Sequence, residues 1–218
     1  MKFFKWKLSH FFPSIAKCID GSIFSPDHWK RIHELMTETL DMLNNRSNNS
    51  NDNDSSCMSA IIVKDDGKRI VTKTISRTIN NKHPLHHAVI IAISNVADIH
   101  RQAKQQQQLL KDPEDSFQGD NNNNHYKNDY LCTNYDCFLS QEPCIMCAMA
   151  LIHSRIRRVF FFDSTKKIII NNDCYDQPYS IEKLHLNLNL NHRYEVWKLS
   201  KNNNNNKPQE MNKKQRTL

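Results

Sequence analysis

Glu142-Pro143-Cys144-Ile145-Met146-Cys147 is the stretch on which the reading of this chain turns. Two thiols three residues apart fall on one face of a helix, and Pro143 is suited to open one. The start of a helix presents unpaired N–H groups and a partial positive charge, which favour the thiolate form that binds metal. A Cys-x-x-Cys pair by itself is also compatible with a redox couple. What narrows the choice lies upstream, in His86-His87-Ala88-Val89. Zinc takes imidazole and thiolate in a tetrahedron, and three protein ligands leave the fourth position for water or substrate. His87, Cys144 and Cys147 supply such a set if two helix N-termini converge. His86 is adjacent and is the alternative imidazole, although the motif spacing favours His87.

Working outward, Pro26 to Leu43 reads as a helix, with Ser25 as N-cap and apolar residues from Trp29 to Leu43 at helical spacing. Met58 to Val63 and Arg69 to Ile75 are β-branched runs, and the Asp66-Gly67 pair between them predicts a hairpin turn. Pro84 is expected to open a second helix, with Leu85, Ala88, Val89, Ala92, Ile93, Val96 and Ile99 at helical spacing and His87 in its first turns. Tyr130 to Ser140 is strand-like. Pro143 to about His153 reads as a helix, and Arg158 to Phe162 as a buried strand. Arg193 to Leu199 is strand or helix. This order suggests helices packed on a single mixed sheet.

Polar tracts at about 44–56 and 101–129 read as solvated insertions, too poor in apolar surface to offset their ordering entropy. The expected organisation is a basic N-terminal segment, 1–24, a folded domain, 25–200, and a disordered basic Asn-rich tail, 201–218. The net charge of +7 is concentrated in the ends: residues 1–20 carry +3 and residues 198–218 carry +5, leaving a near-neutral middle. Basic ends on a neutral body suit a polyanion such as RNA, or simply aid solubility. Seven cysteines, an odd number, and the lack of an apolar leader point to a reducing compartment, with cytoplasm and nucleus expected. The sequence holds no run of about 18 apolar residues, so no membrane partner is expected.

Pro-Cys-x-x-Cys downstream of His-x-Glu is the signature of zinc-dependent base deaminases, whose Glu is not a ligand but carries protons between the zinc-bound water and the base. Here the His-x-Glu slot holds His87-Ala88-Val89, and Val89 has no titratable atom. Glu142 stands on the wrong element for that role and reads as a local structural or substrate-contact residue. His86 is a substitute base only if its side chain does not diverge from that of His87.

The chain resembles the catalytically silent, Tad3-type subunit of the eukaryotic heterodimeric tRNA wobble-adenosine deaminase. The resemblance is carried by His83-Pro84-Leu85-His86-His87-Ala88-Val89, by Tyr130 to Asp136, by Glu142 to Ile156 with Arg158-Val159-Phe160, and by Leu190 to Val196. It implies a cytidine-deaminase-like three-layer α/β/α sandwich with a five-stranded mixed sheet. It also implies one zinc ion per chain on His87, Cys144 and Cys147, with Val89 marking the absent proton shuttle. A partner subunit carrying His-Ala-Glu would supply the chemistry, converting adenosine 34 of selected tRNAs to inosine. His153, Arg155, Arg157 and Arg158, at the end of the metal-binding helix and beyond, are candidate contacts to tRNA phosphates or to the partner. Cations placed near a helix C-terminus are the alternative reading of these residues. An autonomous deaminase with another base, or a purely structural zinc module, are the competing functions.

Overall fold

The computed structural model describes residues 3–5, 24–49, 58–76, 83–109, 130–162 and 178–199. The elements run β1 (Phe3–Lys5), α1 (Pro26–Asn49), β2 (Ser59–Lys64), β3 (Arg69–Ile75), α2 (Ala88–Leu109), β4 (Asp136–Leu139), α3 (Ile145–His153), β5 (Arg158–Phe162) and β6 (Glu195–Leu199). A short 3-10 turn, Leu184–Leu186, precedes β6.

The sheet order is β1-β6-β5-β4-β2-β3. β4, β5 and β6 pair in parallel, while β2 is antiparallel to both β4 and β3. The mixed five-stranded sheet is therefore β3-β2-β4-β5-β6, and β1 adds a three-residue antiparallel edge to β6. That edge lies inside the stretch expected as a basic N-terminal segment, 1–24. The 201–218 tail lies outside the described residues.

Period-two alternation along each central strand makes three layers. Ile61, Val63, Phe138, Phe160, Phe162, Trp197 and Leu199 face α1, which buries Ile32, Leu35 and Met36 against them. Ala60, Ile62, Cys137, Leu139, Val159, Phe161 and Val196 face the other way, onto α2 and α3. Phe138, Phe160 and Trp197 are register partners on successive strands and form an aromatic ladder under α1. Their ring centroids are 4.7 and 6.3 Å apart.

The hairpin between β2 and β3 is as the Asp-Gly pair predicts. Asp65, Asp66 and Gly67 take positive φ of 57°, 55° and 87°. A Cβ on Gly67 would come within 3.1 Å of Leu35 Cδ1, so both the conformation and the close approach of α1 ask for glycine there.

Five boundaries differ from the sequence expectation. α3 begins at Ile145 with Cys144 as its N-cap, so Pro143 precedes the helix and does not open it. α1 continues to Asn49 and α2 to Leu109, well into stretches read as unfolded insertions. Low apolar content was the wrong criterion for α2: Gln, Lys and Ala are good helix formers, and neither Gly nor Pro interrupts Ala88 to Leu109. β4 spans only Asp136–Leu139, because Leu131 and Asn134 take positive φ (52° and 65°) in turns that occupy the preceding residues. Pro84 does not open α2. It sits second in a turn closed by His86 N–H donating to His83 O at 3.2 Å, a position its fixed φ favours, and the helix begins at Ala88. The final segment resolves as a strand.

Candidate metal centre

The shortening of α2 puts His87 at its N-cap, where its carbonyl accepts the Ile91 N–H at 3.0 Å. Cys144 is the N-cap of α3 and accepts the Ala148 N–H at 3.0 Å. Two helix N-termini thus meet, each through its capping residue. The side face of the sheet sets the approach: Thr74 Oγ1 on β3 donates to the Ala88 carbonyl at 2.8 Å, and Asn95 Nδ2 reaches Thr72 Oγ1 at 3.1 Å.

His87 Nδ1 lies 3.5 Å from the sulfur of Cys144 and 3.5 Å from that of Cys147. All three donor atoms fall within 4.8 Å of one another. Tetrahedral ligands at about 2.0 Å (N) and 2.3 Å (S) from zinc would have donors roughly 3.5 Å apart, so spacing and donor chemistry both fit zinc. Cys147 is fully buried, whereas His87 and Cys144 are half-buried and leave the centre open on one side.

The electrostatics favour a thiolate at Cys144. The Cys147 thiol donating to its sulfur is the largest influence, with the Cys147 backbone N–H and His87 adding to it, and together they hold Cys144 down at about 5 despite burial. Cys147 is pushed up correspondingly, as the donor to Cys144 and by its own burial. Both helix N-termini add positive potential at the same point.

Val89 occupies the first turn of α2, fully buried in the core between the sheet and the helices α2 and α3. No carboxylate among the described residues joins the donor cluster. His86 turns to stack on His83, ring centroids 4.3 Å apart and planes within 6°. His87, not His86, is the imidazole that reaches the thiols.

Glu142 is bound elsewhere. Its Oε1 accepts the backbone N–H groups of Tyr179 and Ser180, each at 2.8 Å, and its Oε2 accepts the Ser180 hydroxyl at 2.6 Å.

With this geometry in hand, the family model for the cytidine and deoxycytidylate deaminase zinc-binding region matches residues 31–163. The chain belongs to that deaminase family. Among curated relatives of this chain, a zebrafish (Danio rerio) protein named "Probable inactive tRNA-specific adenosine deaminase-like protein 3" is 41% identical over 119 residues, which is 53% of this chain and 32% of the relative. The Arabidopsis thaliana tRNA-specific adenosine deaminase TAD3 is 44% identical over 71 residues, 32% of this chain and 16% of the relative. The chain thus spans a third or less of the length of these two relatives. A solved structure from work on tRNA:A34 deaminases aligns with a TM-score of 0.42 at 19% identity, covering 65% of this chain and 82% of that one.

The four residues expected as contacts at the end of α3 and beyond separate in this fold. His153 is exposed, and Arg155 is half-buried with φ 63° just past the helix end. Arg157 and Arg158 are turned inward. Arg157 Nε and Nη2 donate to Asp136 at 3.1 and 2.9 Å, and Nη2 also reaches Asp66 at 2.6 Å. Arg158 bonds Asp136 through both Nε (2.9 Å) and Nη2, and Asp66 at 2.7 Å. A reading of local sequence has no signal for these acids, because Asp66 arrives from the β2–β3 hairpin turn and Asp136 from β4. His28 completes the cluster, its Nε2 3.4 Å from Arg158 Nη2. His28, Asp66 and Asp136 have donor atoms close enough for a metal, but the two guanidinium groups already occupy the carboxylates.

Tyr179 and Tyr194 were likewise missed. Both are buried, their hydroxyls share a 2.8 Å hydrogen bond, and Tyr194 reaches the Ala148 carbonyl in α3 at 3.2 Å. At the far ends of α2 and α3 a separate hollow of about 440 Å³ is lined by residues including Val96, Lys104, Tyr130 and Ser154.

Proposed function

We propose that this chain is a non-catalytic, zinc-binding subunit of a heterodimeric tRNA-specific adenosine deaminase, which converts adenosine to inosine at position 34. The observation that carries the reading is a contrast at one site. His87, Cys144 and Cys147 converge as a zinc donor set, while the position two residues after His87 is a fully buried valine. One zinc held there would supply Lewis acidity and structural cross-linking. This chain's residues hold the donors and join two helix N-termini, but none is placed to move a proton. The names of the relatives support the tRNA substrate and the silent role. A partner of the same family carrying His-Ala-Glu would supply the proton shuttle. Exposed His153 and half-buried Arg155 are the residues at the α3 end left to face tRNA or that partner. Arg157 and Arg158 are committed to Asp136 and Asp66. The basic ends, 1–24 and 201–218, add polyanion attraction to a deaminase domain at 25–200, working in cytoplasm and nucleus.

The test is purification of the chain alone and with a His-Ala-Glu partner. Alone it should hold one zinc and leave tRNA adenosine unchanged; together the two should form a stable complex that produces inosine 34. Turnover by the isolated chain, or normal editing in extracts depleted of it, overturns the reading.

A further inference from the structure

Glu142 lies two residues before a metal-cluster cysteine, yet its carboxylate points away from the cluster and into backbone. It accepts two consecutive N–H groups, those of Tyr179 and Ser180, and the Ser180 hydroxyl. Consecutive N–H groups aimed at one point form an anion nest, and bonds from them to a carboxylate are charge-assisted. The nest itself is firmly seated. Tyr179 is fully buried and hydrogen-bonded to Tyr194, which bonds the Ala148 carbonyl, and Lys183 Nζ donates to the Ser180 carbonyl at 2.6 Å. The segment around Tyr179–Tyr194 therefore holds α3 twice, at its entry through Glu142 and at its middle through Ala148. Between Glu142 and Cys144 stands only Pro143, buried and fixed in φ, so displacement at Glu142 is passed on to Cys144.

We propose that Glu142 is a positioning residue for the metal centre: its grip on Tyr179–Ser180 sets where Cys144 presents its sulfur to His87 and Cys147. The inference rests on the zinc reading above and extends it to a residue that touches no metal. Outer-shell partners of this kind typically change metal affinity by about 10- to 100-fold when removed.

The experiment compares the full chain with Glu142→Ala, Glu142→Gln and Ser180→Ala. Zinc affinity is read by competition with a chromophoric chelator, and site geometry by the thiolate charge-transfer and d–d bands of the cobalt-substituted protein. Glu142→Ala should weaken zinc by roughly 10- to 100-fold and alter the cobalt spectrum. Glu142→Gln, which keeps an oxygen for the two N–H groups, should restore most of the affinity and the wild-type spectrum. Ser180→Ala, losing one hydrogen bond, should cost about 5-fold. If Glu142→Ala does not fold, Ser180→Ala carries the test, with Glu142→Gln as the control that should stay close to wild type. Wild-type affinity together with an unchanged cobalt spectrum in Glu142→Ala, or in Ser180→Ala should Ala not fold, overturns the proposal. If the wild-type chain takes neither zinc nor cobalt, the metal reading itself fails and the positioning role with it, a result visible before any variant is made.

Discussion

Replacing Asp136 by asparagine keeps the shape of a buried side chain and removes its charge. The native carboxylate is 1% exposed and receives four hydrogen bonds, two from each of Arg157 and Arg158. Arg158 is itself 10% exposed, so after the change its guanidinium stays buried opposite an amide whose N–H₂ group cannot accept. Removing one partner of a buried ion pair costs about 3–5 kcal/mol. Asp66 remains to neutralise part of the charge but is 52% exposed, which places the expected loss near the lower end, about 3 kcal/mol. In a domain of this size that corresponds to a fall in Tm of roughly 6–12 °C. Arg157 is 34% exposed, and Arg157→Ala should cost only about 1 kcal/mol. Urea unfolding followed by tryptophan fluorescence suits the measurement, because Trp197 is fully buried in the sheet. The Asp136→Leu/Arg158→Met double variant should lose much less than the sum of its single changes. A loss below about 1 kcal/mol for Asp136→Asn, or strict additivity in the cycle, would refute internal pairing and return both arginines to the surface as candidate RNA contacts.

Metal dependence should be visible in stability: at free zinc 100-fold above Kd the native state gains about 2.7 kcal/mol. Chelation should remove that gain, and Cys147→Ser should abolish the zinc response; identical melting with and without chelator would contradict it. Val89→Ala should leave zinc affinity unchanged and lower stability by about 1–2 kcal/mol, since a fully buried methyl pair is lost without a ligand being touched. Calorimetry with zinc titration decides this. Burial, followed by the nearby Arg158, holds His28 below its ordinary 6.5, so the unfolded chain binds the proton more readily. Stability should therefore fall as pH drops from 6.5 toward the lower folded value, and His28→Gln should flatten that part of the profile. Asp66 is held below its ordinary 3.8 by Arg157 and Arg158 against the opposing effect of burial. Its contribution, present above that value, is lost only as pH falls further, so the His28 step should stand apart in the pH–stability curve.

The strands and the helix carrying the thiols were legible because their signals are local. The continuous apolar, β-branched or aromatic runs in Ser59–Lys64 and Arg158–Phe162, the Asp66-Gly67 turn, and Pro143 shortly before the first residue of α3 each act within a few residues. The length of α2 was not legible from hydropathy, since a Gln- and Lys-rich stretch is helical by propensity while looking soluble by composition. The fixed φ of Pro84 suits the first residue of a helix and the second residue of a turn alike, and here it serves the turn. The difference of four residues decides whether His87 lies inside α2 or caps it.

By itself the sequence determined the donor types, their spacing on α3, and the absence of a carboxylate two residues after His87, because those are matters of residue identity. Only the tertiary structure decided what each charged group faces. It brought His87 to the two sulfurs at 3.5 Å, turned Glu142 onto the Tyr179–Ser180 backbone, and closed Arg157 and Arg158 on Asp136 and Asp66. Each of those contacts joins residues more than twenty positions apart. They are set by how the helices and strands pack around the sheet, which no local pattern encodes.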